Sequence, residues 1–302
     1  MGAWRIHLTD QTIRRLDILS GRPSLLAAWL SGGRAYFFDL SHGTRVGERT
    51  VDAPGLEDRS GDGWRGFLDG LTAPNGVPLP VVRLPSMTLY STAEGRAHLI
   101  QQGMTALFLD VDGTEIRLHA EEDTVFVAVD ADRGESRTAA LDAHGRLLVY
   151  HRHLRVAAAA IGLHAADEWR PGIAVAQGGT IFATDGHTLV KVDAGGRVRK
   201  RLDLHYHAGM VACSPDGSHV ATTDAEIGVI RVYDGADLQP THQRFASDLF
   251  AEARRAQLMG GSPGASASIS ALALSNRGVL AFALSGALCV SSLARMGVLP
   301  RV

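Results

Sequence analysis

The chain has 302 residues, 45% of them hydrophobic and 21% charged, with a formal net charge of −2. That balance excludes a disordered polyelectrolyte and gives no global pull toward nucleic acid or an anionic membrane. Length alone permits two ordinary domains or one large all-β domain.

Two cysteines, Cys213 and Cys289, lie in apolar strand-like runs and are too few for a disulfide framework, so buried free thiols are expected. Of the 30 basic residues only Lys191 and Lys200 are lysines, a bias that fits a GC-rich genome better than a recognition surface. The N-terminal stretch "MGAWRIHLTDQTIRRLDIL" carries charges through its apolar part, unlike a signal peptide. No apolar run approaches the ~20 residues that span a bilayer. The expectation is a soluble, cytoplasmic protein of bacterial type.

In chain order, a strand-like "WRIHL" at 4–8 comes first, followed by "PSLLAAWLSGGRAYFFDLSHGTRVGERTV" from Pro23. The latter reads as a small-residue-rich strand, a Gly turn, an aromatic strand, a second turn and a further strand. "GLEDRSGDGWRGFLDGL" at 55–71 interrupts with a polar loop around Trp64, Phe67 and Leu68, read as a packed excursion. Residues 74–130 are strand-rich without a clean register and are expected to hold one or two repeat units. Within them "DVDG" at 110–113 lacks the ligand spacing of a calcium loop and reads as a β-turn.

The grammar then returns from Ser136 ("SRTAALDAHGRLLVYHRHLRVAAAAIG"), from Gly172 ("GIAVAQGGTIFATDGHTLVKVDAGG") and from Gly209 ("GMVACSPDGSHVATTDAEIGVIRVYDG"). It appears once more from Ile269 ("ISALALSNRGVLAFALSGALCVSSL"). The starts at 136, 172 and 209 are 36 and 37 residues apart, close to the ~40–45 of a propeller blade. A lone four-stranded sheet cannot cover its own apolar faces, so such units stack into a closed ring. The expected fold is an all-β, single-domain propeller over 1–302, with six or seven four-stranded blades and seven the better fit. The N-terminal strand is expected to complete the last blade. Two packed β-sandwiches would also give many short strands, but not this spacing.

Between the last two units, "FASDLFAEARRAQLMGGSPGASAS" from Phe245 breaks the strand rhythm. Ser247 suits an N-cap and Asp248 the first turn, while Leu249, Ala253 and Ala256 form one apolar stripe. A short inserted helix near 246–258 is expected, either covering a blade edge or docking a partner.

The cadence "SPDG…IRVYD" resembles that of WD40-like and related bacterial β-propellers, firmly over residues 136–292 and loosely before. Where WD40 repeats end a third strand in Trp-Asp, this chain has Tyr233-Asp234 and Val192-Asp193. The family's tight-turn aspartate, which anchors a hydrogen-bonded network, aligns near Ile227 with Glu226 beside it. The resemblance implies one face shared by the blade-linking loops and the turns between second and third strands. On it are expected His42, Arg152, His153, Asp167, Glu168, Trp169, Asp185, His187, Asp224 and Glu226.

No G-x-S-x-G, HExxH, CxxC or phosphate-binding loop occurs. The 13 histidines include pairs in "HRH" at 151–153 and "LHYH" at 204–207, read as edge-strand decoration. "RVRKR" at 197–201 is read as a solvated outer strand. The reading is a non-catalytic scaffold without cofactor, binding a protein or peptide partner but no nucleic acid or membrane, as a monomer or in a hetero-complex. The contact residues are expected at Trp169, Asp224, Glu226, Leu249, Phe250 and Arg254. The alternatives are a lactonase-like propeller hydrolase or a small-ligand sensor, with a polar or metal site at the channel mouth. Its groups would come from His42, His153, His187, Asp185 and Asp224.

Overall fold

The computed structural model describes residues 3–8, 12–19, 21–30, 34–50, 73–76, 82–84, 87–91, 97–101, 106–109, 115–118, 126–132, 137–151, 154–163, 171–256, 269–284 and 286–298. Between 82 and 118 only the backbone is described. These residues form 26 strands, one α-helix and one 3-10 turn. Among them no helix is long and apolar enough to cross a membrane.

After β1 (Trp4–His7), a four-stranded meander comprises β2 (Ile13–Leu19), β3 (Leu25–Leu30), β4 (Arg34–Asp39) and β5 (Arg45–Thr50). The strands β6 (Val82–Leu84), β7 (Met87–Ser91), β8 (Ala97–Gln101), β9 (Ala106–Leu109) and β10 (Glu115–Leu118) make a separate five-stranded sheet. A second meander holds β11 (Phe126–Ala131), β12 (Arg137–Asp142), β13 (Arg146–His151) and β14 (Leu154–Ala160). A third holds β15 (Gly172–Val175), β16 (Ile181–Thr184), β17 (Thr188–Val192) and β18 (Val198–Asp203). The fourth is β19 (Ala208–Cys213), β20 (His219–Asp224), β21 (Val229–Asp234) and β22 (Pro240–Phe245), followed by α1 (Ala246–Ala256). The last comprises β23 (Ile269–Leu274), β24 (Val279–Leu284) and β25 (Ala287–Ser292), and a two-residue β26 (Gly297–Val298) ends the described chain.

Five of the six sheets are propeller blades. Their first strands, β2, β11, β15, β19 and β23, pack neighbour against neighbour and line one central cavity. The ring closes between β2 and β11, where Arg15 Nη1 lies 3.1 Å from Asp130 Oδ1. Because that contact makes the first and second blades neighbours, the sheet β6–β10 is an insertion between them and contributes no inner strand. The fold is therefore a five-bladed propeller, not the six- or seven-bladed ring expected from the sequence.

The miscount arose in residues 74–130, expected to hold one or two blades, where the described strands are the inserted sheet β6–β10 and the inner strand β11. Two register errors accompany it. In the units read from Pro23 and Ser136, the small-residue strands "LLAAWL" and "RTAALD" are second strands, not first ones. A second strand lies between the neighbouring blades on both faces, which is why β3 is buried at every position. The true inner strands, "IRRLDIL" and "FVAVDA", carry charge toward the axis.

Four of the intervals between blades are apolar cores among the described residues. Leu147, Val149, Ile181 and Val190 join the second blade to the third. Phe182 and Leu189 meet Val220 and Tyr233 between the third and fourth. Ile18, Leu26 and Phe38 pack on Ala281 and Val290 between the first and last. Burial of side chains of this size contributes about 1.5–3 kcal/mol each. The chain ends also tie the ring. β1 pairs antiparallel with β25 as the outermost strand of the last blade, and Trp4 Nε1 reaches across to donate to the Leu40 carbonyl at 2.9 Å. β26 adds a fifth strand to the edge of β22.

Candidate functional site

Hydrogen bonds between neighbouring turns sort the loops into two faces. On one face the Gln177 N–H donates to the Pro215 carbonyl, and the Asp216 N–H to Asn276 Oδ1. These are turns between first and second strands. On the other face the Ala208 N–H, where one blade leads into the next, donates to the Gly186 carbonyl in a turn between second and third strands. Blade-linking segments and second-to-third turns thus share a face, as expected. Gly145 shows how closely they approach: a Cβ there would lie 2.1 Å from the Leu163 carbonyl oxygen, and its φ of +72° also suits glycine.

Three carboxylates cap the turns of this face. Asp142 accepts the His144 and Arg146 N–H groups, Asp185 those of His187 and Thr188, and Asp224 those of Glu226 and Ile227. Each stands at or just past the end of a second strand, so the recurrence is visible in the sequence once the strands are numbered correctly. The turn aspartate of the fourth blade is Asp224, not a residue at Ile227, and a network does extend from it. Arg231 Nη1 donates to Asp224 Oδ2 at 3.2 Å, and its guanidinium lies 3.8 Å over the Tyr206 ring. The Tyr206 hydroxyl in turn bonds Thr222 and Tyr233. Burial pushes both phenols up, so both stay protonated and able to donate. Tyr206 belongs to the "LHYH" segment, which links β18 to β19 rather than decorating an edge strand.

The structure scatters the remaining expected residues. His42 sits in the turn between β4 and β5, on the opposite face, exposed and 3.3 Å from Asp39. Asp185 and His187 are on the blade-linking face, where the His187 ring stacks on His207 at 5.0 Å. Arg152, His153, Asp167, Glu168 and Trp169 lie outside the described residues, as do the loop 55–71 and the turn at 110–113. Among the described residues no group of three or more His, Cys, Asp or Glu side chains is placed to hold a metal.

Leu249 and Phe250 lie inside the protein. They are 0% and 6% exposed, in a core cluster with Ile230, Leu272 and Cys289. Arg5 lies 4.3 Å over the Phe250 ring. The helix α1 therefore seals the last blade with these two residues. Arg254 is on its last turns, with its side chain outside the described residues.

What the same face does expose is Ile227, at 56%, and Phe245, at 47%. The Ala246 N–H donates to the Gly228 carbonyl at 2.9 Å and Phe245 pairs with Val229, so the turn and the end of β22 are held side by side. Exposed Glu226 flanks them. The sequence reading passed over Ile227 as a departure from a motif and Phe245 as the first residue of a segment that interrupts the strand rhythm.

Along the axis runs a cavity of about 160 Å³. Its lining combines aliphatic and small residues, including Val175, Ala212, Cys213 and Ala273, with Arg14, Arg15, Asp17 and Asp130 from the first two blades, and the surface it presents is more polar than apolar. Arg15 bridges the two carboxylates, at 3.1 Å to each. Trp29 Nε1 donates to Asp17 at 3.2 Å, and the Val175 N–H to Asp130 at 2.8 Å.

No family model matches the chain, and no curated protein does. Among solved structures it is similar to Raptor from Chaetomium thermophilum, at 11% identity and a TM-score of 0.62. That similarity covers 99% of this chain and 29% of that one, so the chain spans less than a third of its length. At this identity the likeness supports a WD40-like β-propeller fold and nothing further.

Proposed function

We propose that the chain is a non-catalytic β-propeller scaffold that binds a protein partner at the blade-linking face of its fourth blade. The observation that carries this reading is the pair Ile227 and Phe245. Two large apolar side chains stand about half exposed on a rigid turn and strand end, beside a carboxylate. Exposed apolar groups rimmed by polar ones mark interaction sites. The tyrosine network and the Asp224 cap beneath them fix the turn, so little conformational entropy is lost on docking. In this reading Glu226 stands at the surface and Asp224 caps the turn beneath it, whereas Leu249 and Phe250 support the fold.

A lactonase-like hydrolase is the weaker reading. His42 is separated from Asp185 and His187 by the thickness of the ring, and the Asp185 and Asp224 carboxylates are occupied by turn N–H groups.

The test compares proteins co-purifying from the native cell with the wild-type chain and with the double variant Ile227→Ser/Phe245→Ser. Loss of a specific partner, with the melting temperature unchanged, supports the scaffold. An unchanged set of partners overturns it.

A further inference from the structure

We propose that the central channel binds a small monoanion, of the class of short monocarboxylates, through the guanidinium of Arg14.

The charged groups in the channel are not equally available. Asp17 receives Arg15 and Trp29, and Asp130 receives Arg15 and the Val175 N–H, so both carboxylates are supplied with donors. Arg15 is committed to the same pair. Arg14 lines the cavity, is exposed to solvent, and makes no hydrogen bond or ion pair among the described residues. Arg14 is therefore the one charged side chain of the channel lining without a protein partner among the described residues.

Backbone geometry puts it there. The pairing of β2 with β3 skips Arg14, which is a bulged residue, and the pairings of β11, β19 and β23 skip Val127, Gly209 and Ser270 at the matching point. A bulge re-aims the side chain it carries. Of the four bulged residues only Arg14 is charged. A guanidinium presents parallel N–H donors that match a carboxylate. Beyond it, Val175, Ala212 and Ala273 are among the lining residues and give a short alkyl group a limited apolar surface. A cavity of about 160 Å³ has room for a few water-sized groups and no more.

The triad of Arg15, Asp17 and Asp130 keeps one surplus negative charge near the site. That charge weakens any anion and repels a dianion more than a monoanion. Binding is therefore selective for single charge and weak, on the order of millimolar.

The experiment titrates the full chain with sodium propionate, and separately with inorganic phosphate, by NMR at constant ionic strength and about pH 8.5, where phosphate is almost wholly a dianion. Saturable propionate binding is expected, with NOEs from its methyl group to the Ala212 and Ala273 methyls and no comparable response to phosphate. Arg14→Gln should weaken propionate at least tenfold, while Arg49→Gln on the outer strand β5 should leave it unchanged. No saturation at tens of millimolar, equal binding by Arg14→Gln, or phosphate binding as well as propionate overturns the proposal. Should Arg14→Gln fail to fold, the NOEs in the wild-type chain decide alone. The result is independent of the Ile227 and Phe245 surface, which lies on another part of the molecule.

Discussion

Arg15 Nη1 and Asp130 Oδ1 lie 3.1 Å apart although 115 residues separate them in sequence. In sequence, the inserted five-stranded sheet β6–β10 falls between the two blades that these side chains join. Both are only partly exposed, at 19% and 13% of their side chains. Removing one partner leaves the other charge half-buried and strips the Val175 N–H of its acceptor. Asp130→Ala should cost about 2 kcal/mol of stability. Urea unfolding checks this, and Asp130→Asn should recover part of the loss by still accepting from Val175.

The hydroxyls of Tyr206, Thr222 and Tyr233 are joined beneath the exposed turn of the fourth blade. Thr222→Val keeps the shape and removes one hydroxyl from a part-buried network. A loss of about 1 kcal/mol is expected, with the larger consequence a looser turn at Glu226 and Ile227. Hydrogen exchange of the Glu226 and Ile227 amides should rise in this variant relative to the Gly195 amide of the third blade.

His242 titrates below the usual histidine range, chiefly because burial disfavours its charged form and further because His219 is near. With the folded-state value below the unfolded one, the unfolded chain binds more protons in that interval. The contribution to stability is present above about pH 6.5 and is lost as the pH falls below it. His242→Gln should flatten the decline in melting temperature between about pH 6.5 and 5, and an unchanged slope would assign the decline to other groups.

Neither cysteine is in a disulfide, but they differ in access. Burial pushes the Cys289 thiol up to about 12, with Arg5 nearby opposing the effect, and its Sγ faces the Leu249 carbonyl under α1. Cys213 is half-buried and lines the channel. Maleimide labelling of the native protein at pH 7.5 should modify Cys213 first and Cys289 only after urea is added, as read by mass spectrometry.

The propeller grammar was legible wherever the strand order was also legible. From Gly172 and from Gly209, turns at Gly178-Gly179 and Pro215-Asp216-Gly217 mark the first strand unambiguously, and the structure follows. From Pro23 and Ser136 the same grammar began one strand late, because apolar content cannot tell an inner strand from a second strand pressed between two blades. The error concealed the recurrence of Asp142, Asp185 and Asp224. It also left β11 among the residues assigned to an extra blade. In α1 the apolar stripe was real, yet periodicity alone could not say whether Leu249 and Phe250 faced a partner or the last blade.

Alternation of small apolar and polar residues between Gly and Asp turns, repeated along the chain, determined an all-β propeller without reference to any structure, because local pattern dictates which faces must be buried. The number of blades was decided only in three dimensions. It depends on one contact, Arg15 to Asp130, between residues 115 apart, and on the insertion that this contact excludes from the ring. The same holds for the sites. The turn of Ile227 and the strand end at Phe245 are held side by side by the bond from the Ala246 N–H to the Gly228 carbonyl, Arg14 lines the channel at a bulge, and neither relation has a spacing that the chain records.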